Sequence, residues 1–166
     1  MLDFSQMALP PGVRLATEAD LECIMEIERL SFDRQWDVMQ FKAGLKDIFL
    51  VYGAPEALGF LVACVCDLTR RGIILRVATH HDSRGQGVAS KLLAAAIDCL
   101  RCTQVNSIDL DVEIVKQDAR SLYEKFGFKV SCATLTDFDY EEESFYMMKL
   151  VLNDGAAATA GPAAAP

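Results

Sequence analysis

The chain has 166 residues, enough for one domain with a full hydrophobic core, and no apolar run approaches the ~20 residues that a membrane-spanning helix needs. Asp and Glu number 24 against 16 Lys and Arg, a formal net charge of −8. That balance argues against nucleic acid and anionic membrane as partners and suits a cationic one, such as an amine or a basic peptide.

Residues 1–11 read as a loose leader without the basic start of a secretory signal. Val13–Ala16 is a short strand, and Thr17 with Asp20 resembles a helix start. The helix runs to about Leu30, with Leu21, Ile24, Met25 and Ile27 on its buried face. A turn at Ser31–Asp37 carries Trp36, and a shorter helix is expected over Trp36–Lys46. Ile48–Tyr52 and Leu58–Asp67 form a hairpin across Gly53–Glu56, and Gly72–Thr79 is a third strand. A helix follows over Gly87–Cys102, with Leu92, Leu93, Ala96 and Leu100 on its apolar side. Ile108–Ile114 alternates: Ile108, Leu110 and Val112 point one way, Asp109, Asp111 and Glu113 the other. A short helix, Asp118–Lys125, stops at Gly127. Phe128–Thr136 and Ser144–Leu150 are strands around an acidic loop, Asp137–Glu143. The order β-αα-βββ-α-β-α-ββ predicts an α/β domain over residues 12–152, a mixed sheet with helices on both faces. Residues 153–166, rich in Ala and Pro, are expected to be disordered.

Six cysteines (Cys23, Cys64, Cys66, Cys99, Cys102 and Cys132) are spread through apolar segments. No partner pair or histidine completes a site around Cys99 and Cys102, so all six read as reduced core cysteines of a cytoplasmic protein. His80 and His81 are adjacent, point in different directions and make a poor metal site; no metal is expected.

The run Ile73–Leu93 carries most of the functional signal. An apolar strand feeds a polar loop, Arg84-Gly85-Gln86-Gly87-Val88-Ala89, which opens a helix. The first helical turn offers unpaired N–H groups at the positive end of the helix dipole. A loop without side-chain bulk there lets a phosphate lie on those groups. The spacing is neither the dinucleotide fingerprint nor a Walker loop, and a plain turn feeding a surface helix stands beside the anion cradle.

Together with a second motif, these residues resemble a family. Arg84–Ala89 matches the Q/R-x-x-G-x-G/A motif of GNAT-superfamily N-acetyltransferases, and Leu75–Thr79 ends as their central strand does. Ala119-Arg120-Ser121-Leu122-Tyr123-Glu124-Lys125-Phe126-Gly127-Phe128 matches their A-x-x-L-Y-x-x-x-G-F helix. The resemblance spans Val13 to Leu150 and is greatest to the ribosomal-protein-alanine N-acetyltransferase group. It implies a mostly antiparallel sheet of about seven strands, with a splayed parallel pair at the cofactor cleft.

The resemblance also implies acetyl-CoA as cofactor. Val77, Ala78 and Thr79 would pair with its pantetheine arm, and Arg84, Gly85, Gln86, Gly87, Val88, Ala89 and Ser90 would hold its pyrophosphate. Tyr123 takes the position of the proton donor to the departing thiolate. Asp111 stands where the group has a glutamate base, twelve positions before that tyrosine. Glu113, two residues on, either shares the role or makes salt bridges. Lys116 replaces an asparagine that contacts the cofactor arm; it either reaches a phosphate or is solvated. Phe32 and Trp36 of the first turn, and Tyr140 of the acidic loop, would close over a peptide. That loop would attract a cationic amine or is simply a solvated hairpin tip. The implied reaction is acetyl transfer to a primary amine, foremost a protein N-terminal α-amine. A small-molecule amine acetyltransferase and a non-catalytic acyl-CoA-binding module are the alternatives.

Overall fold

The computed structural model describes residue 4, residues 7–138 and residues 141–152, with backbone alone for residues 134–138 and 141–143. The elements are β1 (Val13–Leu15), α1 (Leu21–Ser31), α2 (Val38–Gly44), β2 (Ile48–Tyr52), β3 (Gly59–Cys66), β4 (Arg71–Thr79), α3 (Val88–Cys102), β5 (Ser107–Glu113), α4 (Gln117–Lys125), β6 (Lys129–Phe138) and β7 (Glu141–Val151). The strands form one seven-stranded sheet in the order β1-β2-β3-β4-β5-β7-β6. Every neighbouring pair is antiparallel except β4 with β5.

β2 and β3 read as unbroken apolar runs because both of their faces are covered. Ile48, Leu50, Leu61 and Ala63 pack into a cluster with α3. Phe49, Val51, Phe60 and Val62 pack into a second cluster with Ile24 and Ile27 of α1 and Phe41 of α2. Each such Leu or Phe contributes roughly 1.5–3 kcal/mol by leaving water. β5 alternates because one face alone is covered. Ile108, Leu110 and Val112 join the α3 cluster, whereas the cluster beneath α1 and α2 includes no residue of β5. On the other face Asp111 and Glu113 line a cavity, while Asp109 is largely buried beside Arg71 and Lys149.

Several expectations need correction. Met25, 38% exposed, is not on the buried face of α1, and Cys102 and Cys132 are exposed rather than in the core. The second helix starts at Val38, because Asp37 caps it: its carboxylate accepts the Gln40 N–H at 2.9 Å while the Gln40 side chain accepts the Asp37 N–H at 2.9 Å. Trp36 is thereby left in the turn. The acidic loop expected at Asp137–Glu143 is mostly strand, since pairing continues through Asp137↔Glu142 to Phe138↔Glu141. A backbone ladder that runs past the core needs no apolar side chains to continue. In the leader segment, Phe4, Met7 and Leu9 pack on the α3 cluster. The tail, residues 153–166, lies outside the described residues. Among the described residues no helix is long and apolar enough to cross a membrane.

One irregularity positions the site. Ala63 faces Ile74 but Val62 faces Arg76, so Leu75 is an extra residue in β4. Such a bulge reverses the alternation of side chains. Ile74 and Val77 both face the α3 cluster, while Ala78 joins the cluster of α1 and α2. Parallel pairing of β4 with β5 ends at the same point, at Ile74↔Leu110. Beyond it the two strands diverge.

Candidate active site

The divergence of β4 from β5 opens a cavity of about 930 Å³, near the upper end of the range for ligand sites. Val77, Ala78 and Thr79 form one wall, and Arg84, Gly85, Gly87, Val88, Ala89 and Ser90 form its floor. Gln86 does not line it; its side-chain amide donates to the Asp82 carbonyl at 3.2 Å. Gly85 and Gly87 have φ of +74° and +79°, left-handed values that disfavour any residue with a Cβ. A Cβ built on either would meet no atom within 4 Å, so the space above the loop is open. Gly87 caps α3 without a side-chain bond, and the first turn of α3 holds no acidic residue. These features fit a phosphate lying on bare N–H groups. Arg84 is turned aside: its Nε donates to the Thr79 carbonyl at 3.3 Å, and its Nη2 lies 3.4 Å from Ser31 Oγ.

α4 supplies the opposite wall through Ala119, Leu122 and Tyr123, together with Lys116 just before the helix. Behind it lies a smaller cavity of about 200 Å³, lined by Phe32, Leu75, Arg76, Asp111, Glu113 and the apolar Ile74, Leu110 and Val112. Val77, Lys116, Ala119 and Tyr123 line both cavities, so the two meet there.

Tyr123 is 6% exposed, and its ring packs edge-on against Phe128 at 6.0 Å. Burial pushes its phenol up to about 12, which keeps the hydroxyl protonated at neutral pH. Desolvation in the smaller cavity raises the Asp111 carboxyl, and the neighbouring Asp109 carboxylate adds to the rise. The three acids of β5 differ in their partners. Asp109 pairs with Arg71 at 3.3 Å and Lys149 at 3.7 Å. Glu113 pairs with the Lys116 ammonium at 2.8 Å. Asp111 has no partner among the described residues. The Lys116 ammonium also stands 4.8 Å from the centre of the Phe32 ring.

Of the residues expected on the acceptor side, Phe32 lines the smaller cavity. Trp36 lines neither; its ring sits 5.4 Å from Phe41, and its backbone N–H donates to Glu28 Oε1 at 2.8 Å. Tyr140 lies outside the described residues. His80, His81 and Asp82 bring one ligand atom each within 4.8 Å of one another, with His81 and Asp82 exposed.

Sequence reasoning missed Arg76 and Glu28. Arg76 Nη2 and Nε reach Glu28 Oε1 at 2.6 and 3.1 Å, under α1. The signal was present: Arg76 is the one charge within the apolar run Ile73–Ala78, and Glu28 falls in the stripe Leu21-Ile24-Glu28 of α1. Opposite charges on two buried faces are a pairing signal.

The model of the Acetyltransferase (GNAT) family matches residues 16–128. N-alpha-acetyltransferase 30 of Schizosaccharomyces pombe is 35% identical over 101 residues, which are 58% of this chain. The match spans 61% of that relative's length. The ribosomal-protein-S18-alanine N-acetyltransferase of Escherichia coli superposes with a TM-score of 0.74 at 20% identity, covering 93% of this chain and 98% of that one. Arabidopsis thaliana NAA60, solved in complex with acetyl-CoA, gives 0.76 at 18% identity, covering 84% and 98%. At those identities the two structures speak for the fold.

Proposed function

The chain belongs to the GNAT acetyltransferase family, and from that premise we propose that it moves the acetyl group of acetyl-CoA to a primary amine, foremost the α-amine of a protein N-terminus. The observation that carries the reading is the meeting of two cavities at Tyr123, with the unpartnered Asp111 in the smaller. The larger cavity suits the cofactor, with Gly85–Ser90 under its pyrophosphate and Val77–Thr79 beside its arm. Acetyl-CoA would supply an activated acetyl thioester at the junction. The relative named N-alpha-acetyltransferase 30 favours a peptide acceptor.

Asp111 accepts the proton that the acceptor ammonium must lose, through a bridging water or directly. Its raised pKa brings it nearer the working pH, which improves a general base. Glu113 is engaged by Lys116 and acts on charge balance rather than as the base. Lys116, at the junction, serves the wall between the cavities more directly than a phosphate. Tyr123 holds its proton and offers it as a hydrogen bond to a departing thiolate. Backbone N–H groups of β4 near Val77, past its pairing with β5, are placed to stabilise a developing oxyanion.

CoA release should be followed with acetyl-CoA and a panel of peptides beginning with Ala, Ser or Met, alongside spermidine. Release that depends on a peptide supports the reading. Release with spermidine alone would make the chain a small-amine acetyltransferase. Tight acetyl-CoA binding with no acceptor-dependent release would make it a binding module.

A further inference from the structure

The geometry points to Arg76, held by Glu28, as a positioning residue that sets the Phe32 wall of the acceptor cavity and ties that wall to the cofactor strand. The inference rests on the acetyltransferase reading above and names what fixes its acceptor side.

The bulge at Leu75 is the starting point. Without it, Arg76 would face the α3 core; with it, the side chain turns under α1. There it meets Glu28, which is 1% exposed. A buried carboxylate is costly unless its charge is matched. Glu28 Oε1 takes two N–H groups from Arg76 and the N–H of Trp36, while Oε2 is buried without a hydrogen-bond partner among the described residues. The whole carboxylate is thus organised around one oxygen, at the point where β4 meets the turn between α1 and α2.

Arg76 reaches that turn in four ways, one of them its guanidinium 5.4 Å from the centre of the Trp36 ring. Its guanidinium lies over the Phe32 ring at 3.9 Å. Its Nη2 donates to the Arg34 carbonyl. Through Glu28 it also holds the Trp36 N–H. Asp33, Arg34 and Gln35 are exposed, so little apolar burial holds the middle of the turn. Lys116, itself paired with Glu113, also stands 4.8 Å from the centre of the Phe32 ring. The ring therefore meets two cations, each neutralised by its own carboxylate.

Arg76 lines the smaller cavity and not the larger. Its chain neighbour Val77 lines both. Losing Arg76 should therefore weaken the acceptor side and leave the hold on acetyl-CoA largely intact. A residue with a merely structural role would move both together.

The test uses the full chain with R76M, R76K and E28Q. Trp36 is the sole tryptophan, so acrylamide quenching reports the turn without any substrate. Calorimetry gives the acetyl-CoA Kd, and an Ala-initiated peptide gives KM and kcat. R76M should raise the quenching constant about twofold and the peptide KM about tenfold, with kcat within about threefold and acetyl-CoA Kd within about twofold. R76K keeps the charge without the planar fork and should fall between wild type and R76M. E28Q should reproduce the R76M pattern with Arg76 still present. Folded variants with unchanged quenching and KM would overturn the inference, as would an equal loss of acetyl-CoA affinity. If R76M does not fold, R76K and E28Q decide. If the wild type acetylates no amine, the acetyltransferase reading fails, and the quenching comparison still decides whether Arg76 fixes the turn.

Discussion

Tyr123→Phe removes one oxygen and leaves the ring against Phe128. The Tyr123 hydroxyl has no hydrogen-bond partner among the described residues, so the variant should fold with wild-type stability or slightly above it. The expected rate effect follows from the phenol's pKa of about 12. An ordinary thiol titrates near ~8.5. Handing the proton to a thiolate would thus run uphill by about 3.5 pKa units, or ~5 kcal/mol. Tyr123 therefore acts as a retained hydrogen-bond donor. A bond to a charged partner is worth ~1.5–3 kcal/mol, so kcat should fall about 10- to 150-fold. CoA release measured with a thiol-reactive dye at saturating acetyl-CoA reads this directly. The basic limb of a pH–rate profile should not change between wild type and variant below about pH 10, because the phenol does not ionise there. An unchanged kcat in a folded variant would remove Tyr123 from the chemistry. A loss far beyond 10³-fold would refute the retained-proton argument and point to full transfer.

Asp111→Asn should lower kcat/KM by roughly 10²- to 10⁴-fold and abolish the acidic limb of its pH profile. The sign is set by the raised pKa: wild-type activity appears as pH rises through the Asp111 pKa and is lost below it. The same shift means that ionised Asp111 opposes folding above its unfolded pKa, so D111N should match or exceed the wild-type Tm at neutral pH, read by calorimetry. Gly87→Trp forces a side chain into left-handed backbone and into the open space above the loop. Calorimetry should show acetyl-CoA affinity falling at least about tenfold, with roughly 1–2 kcal/mol of backbone strain. Gly59→Ala would place a Cβ 2.7 Å from Val88 Cγ1 and 3.0 Å from the Ala78 carbonyl. Chemical denaturation should show a loss of about 1–3 kcal/mol from overpacking at the root of α3.

Much of the fold was legible because its signals are local. The apolar runs Ile48–Tyr52 and Gly59–Cys66, and the alternation at Ile108–Glu113, each state which faces are covered. The order of elements followed from these patterns and from Gly127, whose φ of +93° ends α4. The two motifs around Gly87 and Tyr123 place their residues on one cavity because both flank the parallel pair, β4 and β5. What escaped depends on register. A single extra residue at Leu75 turns Arg76 from one face to the other, and nothing within the strand's own pattern marks it. Glu28 falls in the buried stripe of α1, but its partner lies 48 residues away, beyond the reach of a local pattern. The acidic stretch at residues 137–143 was read as loop from its charge, whereas backbone pairing extends through most of it. Among the acids of β5 the resemblance singled out Asp111, and the partners of Asp109 and Glu113 add a second distinction.

The most direct measurement is tandem mass spectrometry of an Ala-initiated peptide, carrying one internal lysine, after incubation with the full chain and isotopically labelled acetyl-CoA. One labelled acetyl group on the α-amine is expected, formed by wild type and strongly reduced in Y123F and D111N. Label on the lysine side chain would contradict the assignment of the acceptor. Full labelling by both variants would contradict the assignment of the site.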